Sequence, residues 1–226
     1  MRARRDAGLP SPDLILASAS PRRQEMLARL GLRLQIVVPT IDERPLAGEA
    51  PAAHAARLAA AKADAAVATL ARRGPLPAPL LAADTIVALG RRILGKPADE
   101  AEARAMLTAL SGRTHEVATA YCLRPAAPVP GLLAPAVVGQ APVARTVVTK
   151  VSFRSLRPAE IEDYLRGGEW RDKAGAYAIQ GVAAALVTEV RGSYTNVVGL
   201  PLCEVMEDLV TLGLLTTGAL SRVAIA

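Results

Sequence analysis

Asp84 stands in the middle of an apolar run, Leu80-Leu-Ala-Ala-Asp-Thr-Ile-Val-Ala-Leu89. Such a run reads as a buried strand, where an ionised carboxylate is costly unless it has a partner. A carboxylate placed this way pairs with a cation, binds a metal or acts as a base, and the residue types alone leave all three open. Thr85 adds a hydroxyl on the opposite face of the same strand. A second group with chemical potential is Ser18-Ala-Ser-Pro-Arg-Arg23, which follows the apolar stretch Leu14–Ala17. Pro21 suits the first position of a helix capped by Ser20. Arg22 and Arg23 then fall at the positive end of the helix dipole, where each cation is disfavoured by about 0.3–1 kcal/mol. A bound anion reverses that sign. A strand, a turn bearing Ser18 and a helix start with two guanidinium forks can cradle a phosphate, the alternative being a solvated arginine pair.

Of the 27 basic residues only Lys62, Lys96, Lys150 and Lys173 are lysines. In so arginine-rich a chain, a lysine suggests a position that takes a compact ammonium and not a broad guanidinium. Lys96 is held in the turn Gly95-Lys-Pro97, and Lys62 lies among alanines with no acidic residue four positions before it. Glu43, in Asp42-Glu-Arg44, sits in a turn after a strand. Asp172-Lys-Ala-Gly-Ala-Tyr-Ala-Ile-Gln-Gly181 is dense in small residues that let a planar ligand approach, and Gln180 can both donate to and accept from a base edge. A second loop, Gly192-Ser-Tyr-Thr-Asn-Val-Val-Gly-Leu-Pro201, is rich in hydrogen-bonding side chains. Either loop can also be plain turn chemistry.

The elements that must position these residues follow from periodicity and breakers. Strands are expected at Leu14–Ala17, Arg33–Pro39, Leu80–Leu89, Ile93–Leu94, Thr114–Leu123, Arg145–Phe153 and Tyr177–Val190. Helices are expected from Pro21, over Pro51–Arg73, Asp99–Leu110 and Pro158–Arg166, and from Pro201 to Leu212. Strands interleaved with helices predict an α/β domain with a mixed, twisted sheet over residues 14–212. The basic lead 1–13 reads as disordered, Pro125–Pro142 as an inserted Pro-rich loop, and 213–226 as a tail.

Composition narrows the function. The 226 residues are 51% hydrophobic, enough for one full core, and no apolar run approaches the roughly 20 residues of a membrane span. The net charge of +6 invites nucleic acid as a partner. Its basic residues are scattered, however, and aromatics make up only 3% of the chain, so no stacking platform is visible. Cys122 and Cys203 are lone and far apart, which fits a reducing cytoplasm. With two histidines a zinc site is a poor fit, whereas carboxylates with phosphate oxygens suit Mg²⁺ or Mn²⁺. The chain carries neither a P-loop motif nor a dinucleotide-binding glycine fingerprint.

The ordered set Ser18-Ala-Ser-Pro-Arg-Arg23, Asp42-Glu43, Lys62-Ala63, Ala82-Ala-Asp-Thr85, Gly95-Lys-Pro97, Asp172–Gly181 and Ser193–Pro201 closely resembles the Maf family of nucleoside triphosphate pyrophosphatases. That resemblance implies an inosine triphosphatase-like fold, an elongated mixed sheet with two lobes around a cleft. It also implies a homodimer and a divalent metal, Mg²⁺ or Mn²⁺, held by Asp84 and Glu43. It makes Asp84 the proton acceptor, assigns Arg22, Thr85 and Gln180 to substrate choice, and lines the cleft with Ser18, Arg23, Glu43, Lys62 and Lys96. The form of the Gln180 loop resembles the branch acting on dTTP and UTP. The alternatives are the branch acting on modified purine nucleotides such as 7-methyl-GTP, and a nucleic-acid-binding regulator of cell division.

Overall fold

In chain order the elements are β1 (Leu14–Ala17), α1 (Pro21–Ala28), β2 (Leu34–Ile36), α2 (Pro51–Ala71), β3 (Leu80–Leu89), β4 (Arg92–Leu94) and α3 (Glu100–Leu110). They continue with β5 (Thr114–Arg124), β6 (Val143–Phe153), α4 (Pro158–Arg166), β7 (Val187–Arg191), α5 (Tyr194–Val198) and α6 (Leu202–Thr211). This computed structural model describes residues 12–72, 74–126 and 142–213. The basic lead, the Pro-rich insert and the tail fall outside the described residues, apart from a few at their margins. The α/β class and mixed sheet expected from the sequence are what the chain adopts. One seven-stranded sheet runs β2-β1-β3-β5-β6-β7, with β4 attached to β3.

The edge of β3 that faces β1 is split. Its first residues, Leu80–Ala82, pair in parallel with Ile15–Ala17, and its last, Val87–Leu89, pair antiparallel with β4. Between the two, Ala83, Asp84, Thr85 and Ile86 find a strand partner only in β5. The gap lies beside the carboxyl end of β1, the place in an open α/β sheet where ligands enter.

Strand alternation sorts the side chains onto two faces. On one face, Ala59, Ala63 and Ala66 of α2 let that helix lie close over Ile15, Leu80, Ala82, Ile86, Ala120 and Cys122. The other face holds the larger core, where Leu81, Ala83, Val87, Val117 and Tyr121 meet α1, α3, α4 and α6. Asp99 caps α3 by accepting from the Glu102 amide at 2.8 Å. At the far end, Tyr121 is fully buried and donates to Asp208 Oδ2 at 2.5 Å, which joins α6 to β5.

Three expectations are corrected. The segment Tyr177–Val190 is not one strand: a 3₁₀ turn occupies Val182–Leu186, and the strand begins only at Val187 and runs to Arg191. Its buried residues Tyr177, Ile179, Ala183 and Leu186 are two, four and three apart, so the alternation of a strand is lost after Ile179. The second strand is shorter than Arg33–Pro39, at Leu34–Ile36. The 193–201 segment contains a short helix, α5, capped by the Ser193 hydroxyl, which accepts from the Asn196 amide.

A buried polar network knits α1, β3, β5 and α5 together. Arg23, 8% exposed, donates from Nε to Gly199 O at 2.7 Å, from one terminal nitrogen to Ala83 O at 2.8 Å and Ser18 Oγ at 3.1 Å, and from the other to Thr85 Oγ1 at 3.0 Å. Thr85 Oγ1 lies 2.9 Å from Thr119 Oγ1, which donates to Asn196 O. Asn196 Nδ2 donates to Val117 O and to Thr149 Oγ1. The guanidinium thus supplies the hydrogen bond that no strand supplies to Ala83. Burial lowers its pKa to about 10, opposed by the charge of Asp84, so it remains a cation at neutral pH. Replacing Arg23 by Met should cost about 3 kcal/mol or more in urea unfolding, because two carbonyls lose their donor, and Arg23→Lys should recover only part of it.

His115 on β5 packs edge-to-face with Phe153 and Tyr177 and lies 2.8 Å from the Tyr177 hydroxyl through Nε2. Burial pulls its pKa from 6.5 to about 4. Between those values the unfolded chain binds a proton that the native state refuses, so the native state is destabilised as pH falls through the window. Unfolding free energy should drop by about 3 kcal/mol from pH 6.5 to 4 on this account, and denaturation of His115→Gln over the same range should show that part of the slope gone.

Candidate active site

Lys62 projects from α2 to the sheet, where its Nζ lies 2.5 Å from Asp84 Oδ1 and 2.6 Å from Glu43 Oε1. The three residues come from a helix, a strand and a loop, and the helix sits close enough to the sheet because the neighbouring α2 positions are alanine. Asp84 is 7% exposed. Lys62 supplies the partner that a carboxylate in an apolar strand requires, which resolves one of the three options left open by the sequence. Among the described residues Asp84 Oδ2 has no hydrogen-bond partner.

Glu43 is carried on the irregular segment between β2 and α2, and α2 holds that segment in place. Glu49 accepts from the Leu46 amide at 3.0 Å and from Arg57 Nε at 2.7 Å, and lies 2.8 Å from His54 Nδ1. Arg57 also donates to the carbonyl of Arg44, the residue after Glu43, at 3.0 Å. This clamp was not foreseen from the sequence: its members look like ordinary helical and loop charges until the loop closes back on the helix. Burial works to raise the Glu43 carboxyl, but the hydrogen bond and charge of Lys62, with Lys96 and Arg23 beyond it, outweigh that and leave it below the usual carboxylate range.

Two carboxylates touching one ammonium point to a shared locus for a cation. Their oxygens are hard donors, and Mg²⁺ characteristically binds through one or two carboxylates with phosphate oxygens and water. Among the described residues no set of three or more His, Cys, Asp or Glu gathers as a metal cage. With only these two carboxylates, a divalent ion here would need phosphate oxygens and water to complete its shell.

Thr85 faces away from Asp84, as alternation requires, into the Arg23 network. The two guanidinium forks expected to open on one anion part company. Arg23 turns inward with Ser18, whereas Arg22 is half-buried and donates to Val198 O at 3.2 Å, its pKa lowered by that burial. Ser20 occupies the cap position of α1 but its side chain caps nothing; Ser18 Oγ accepts from the Ser20 amide instead. Lys96 is exposed and within electrostatic reach of Glu43. Gln180 stands apart from these contacts. It is exposed, makes no hydrogen bond among the described residues, and lines an open depression of about 440 Å³ with Ile179, Val187, Glu189 and Tyr194. Its turn is set by Glu169, whose carboxylate accepts from the Val182 and Ala183 amides at 3.0 and 3.2 Å. Gly181 leaves room for that carboxylate, since a Cβ there would lie 1.4 Å from Glu169 Oε1. The glycine after Gln180 was the available signal, but it did not reveal its partner.

Comparison with known proteins agrees with the sequence resemblance. The family model described as Maf-like protein matches residues 13–212. The dTTP/UTP pyrophosphatase of Geobacter metallireducens is 50% identical over 203 residues, covering 89% of this chain and 97% of that protein. Those of Cereibacter sphaeroides and Anaeromyxobacter dehalogenans are 48% and 50% identical, covering 88% and 86% of this chain and 95% and 91% of theirs. Among solved structures, the chain is similar to a nucleoside-triphosphatase / dITP/XTP pyrophosphatase of Mycobacterium abscessus, with a TM-score of 0.41, 17% identity, and coverage of 88% of this chain and 97% of that one. With the motifs in order along the chain, and a family match spanning nearly all the described residues, the chain belongs to the Maf family.

Proposed function

We propose that the chain hydrolyses nucleoside triphosphates, dTTP and UTP first among them, to the monophosphate and pyrophosphate. The observation that carries this reading is the Glu43–Lys62–Asp84 cluster: a nearly buried carboxylate with one free oxygen, beside an ammonium and a second carboxylate at the split in the sheet. The names of relatives about 50% identical over most of the chain support the choice of base.

In this reading Asp84 and Glu43 hold a Mg²⁺ or Mn²⁺ ion, which when bound would polarise the α-phosphate and acidify water. Asp84 accepts a proton through Oδ2 as a water oxygen attacks the α-phosphorus. The bond from that phosphorus to the bridging oxygen breaks, and its electron pair leaves with pyrophosphate. Lys62 exchanges a carboxylate for a phosphate oxygen, and Lys96 neutralises charge on the leaving group. Ser18, Arg22 and the amides at the start of α1 steer the phosphates; Arg23 and Thr85 hold that helix start against β3. Gln180, in its open depression, meets the base edge. A homodimer and a cytoplasmic setting complete the proposal. Among the described residues no helix is long and apolar enough to cross a membrane.

The test is pyrophosphate release with Mg²⁺ or Mn²⁺ across dTTP, UTP, CTP, ITP and 7-methyl-GTP. Activity should be highest on dTTP and UTP, and Asp84→Asn should lower kcat at least about 100-fold with the fold intact; near-normal turnover in that variant refutes the role of Asp84. Gln180→Ala should narrow the ratio of kcat/KM between dTTP and ITP while leaving kcat on dTTP within a few-fold, and an unchanged ratio removes Gln180 from base selection. Salt-sensitive DNA binding without hydrolysis of any nucleotide would favour a regulator instead.

A further inference from the structure

We propose that Lys173 is an additional phosphate-binding residue of this site, placed with Lys96 to take the end of a triphosphate chain that leaves as pyrophosphate. The inference rests on the pyrophosphatase reading and adds to it a residue for the outer phosphates.

The backbone around Lys173 is held in an uncommon shape. Asp172 and Ala176, which bracket it, are the non-glycine residues with positive φ among those described, at 59° and 61°. Such conformations persist where the surroundings over-determine them, and they concentrate at functional sites. The surroundings here are visible. The Gly175 amide donates to Gly95 O at 3.0 Å, and Gly175, at φ 71°, lies so close to Val87 that a Cβ would come within 2.8 Å of its Cγ1. The turn bearing Lys173 is therefore clamped to the turn bearing Lys96 and to the end of β3.

Lys173 has no ion-pair partner among the described residues, and neither do Lys96 and Arg22. Its Nζ donates only to the carbonyl of Arg171 in its own turn, at 3.1 Å. Glu169, the nearby carboxylate, is committed to the Val182 and Ala183 amides. Burial, together with the charges of Arg22 and Lys96, holds the Lys173 ammonium below the usual lysine value despite Asp172 and Glu169. Cations that share no contact ion pair repel one another in the free protein, and a polyanion relieves that repulsion.

The order of the cations indicates which phosphates they meet. Lys62 touches Asp84 and Glu43 directly, whereas Lys173 stands on the turn that Gly175 bonds to Gly95, the residue before Lys96. Among the described residues Lys173 touches neither Asp84 nor Glu43 and is joined through its turn to the Lys96 turn. With the α-phosphate at Asp84, Lys96 and Lys173 are left to meet the β- and γ-phosphates.

The experiment compares Lys173→Met and Lys173→Arg with the unaltered protein, using calorimetric binding of inorganic pyrophosphate and of dTMP in Mg²⁺, alongside steady-state kinetics on dTTP. Lys173→Met should weaken pyrophosphate binding about 10-fold or more, raise KM for dTTP by a comparable factor and leave dTMP affinity unchanged. Lys173→Arg should regain part of the loss. Equal pyrophosphate affinity in all three proteins, or equal losses for pyrophosphate and dTMP, would overturn the assignment. Should the unaltered protein hydrolyse no triphosphate yet lose pyrophosphate binding on Lys173→Met, the phosphate role of Lys173 stands and the pyrophosphatase reading fails.

Discussion

The structure depends on how one long strand is shared. β3 runs ten residues and borrows two different neighbours on one edge, β1 for its beginning and β4 for its end. Backbone groups between them lack a ladder partner on that side, and buried carbonyls must be satisfied. The Arg23 guanidinium meets this need at Ala83, and in doing so fixes the first turn of α1 at the gap. The opening into which a ligand can reach is thus the place where the sheet is incomplete, kept open by a side chain and not closed by a strand.

Alternation along β3 then divides the labour. Asp84 faces α2, with Lys62 and Glu43, and Thr85 faces the polar network with Arg23, Thr119 and Asn196. Two adjacent residues, one with a free oxygen and the other fully engaged, stand on opposite sides of a single peptide. The engaged side gives rigidity to the reactive side, because β3 cannot shift without disturbing Arg23, Gly199 and β5 together. Buried polar networks with most of their groups paired favour one arrangement over its competitors, here with Asn196 Oδ1 left over among the described residues.

Much of this was legible in the amino-acid order. The apolar run with one carboxylate marked both β3 and its unusual residue, and Pro158 and Arg166 bound α4 as expected. Asp84 and Glu43 were tied together by the metal they were expected to share, while Lys62, which the resemblance put in the cleft, was not expected to be the ammonium that joins them. Other features escaped because the interactions that make them are distant in sequence. Nothing near Arg23 announces that its acceptors are Gly199 and Ala83. The Tyr177–Val190 stretch departs from a strand because Gly181 and the Glu169 carboxylate, bound to the Val182 and Ala183 amides, set a 3₁₀ turn where the apolar content alone suits a strand. The short helix α5 is too brief to show a periodic pattern.

The bond between Arg23 and Gly199 spans 176 residues. A chain emerging from the ribosome presents the Arg23 charge early and its carbonyl partner only near the end of the described sequence. Until Val198–Leu200 arrives, α1 has no anchor for its guanidinium on that side, and the split in β3 stays partly unfilled. The α1 side of the gap is consequently complete only when nearly the whole described chain is present, whereas Glu43, Lys62 and Asp84 all lie within its first half. The same long-range closure that keeps the cleft rigid in the finished enzyme withholds that rigidity from every shorter nascent form.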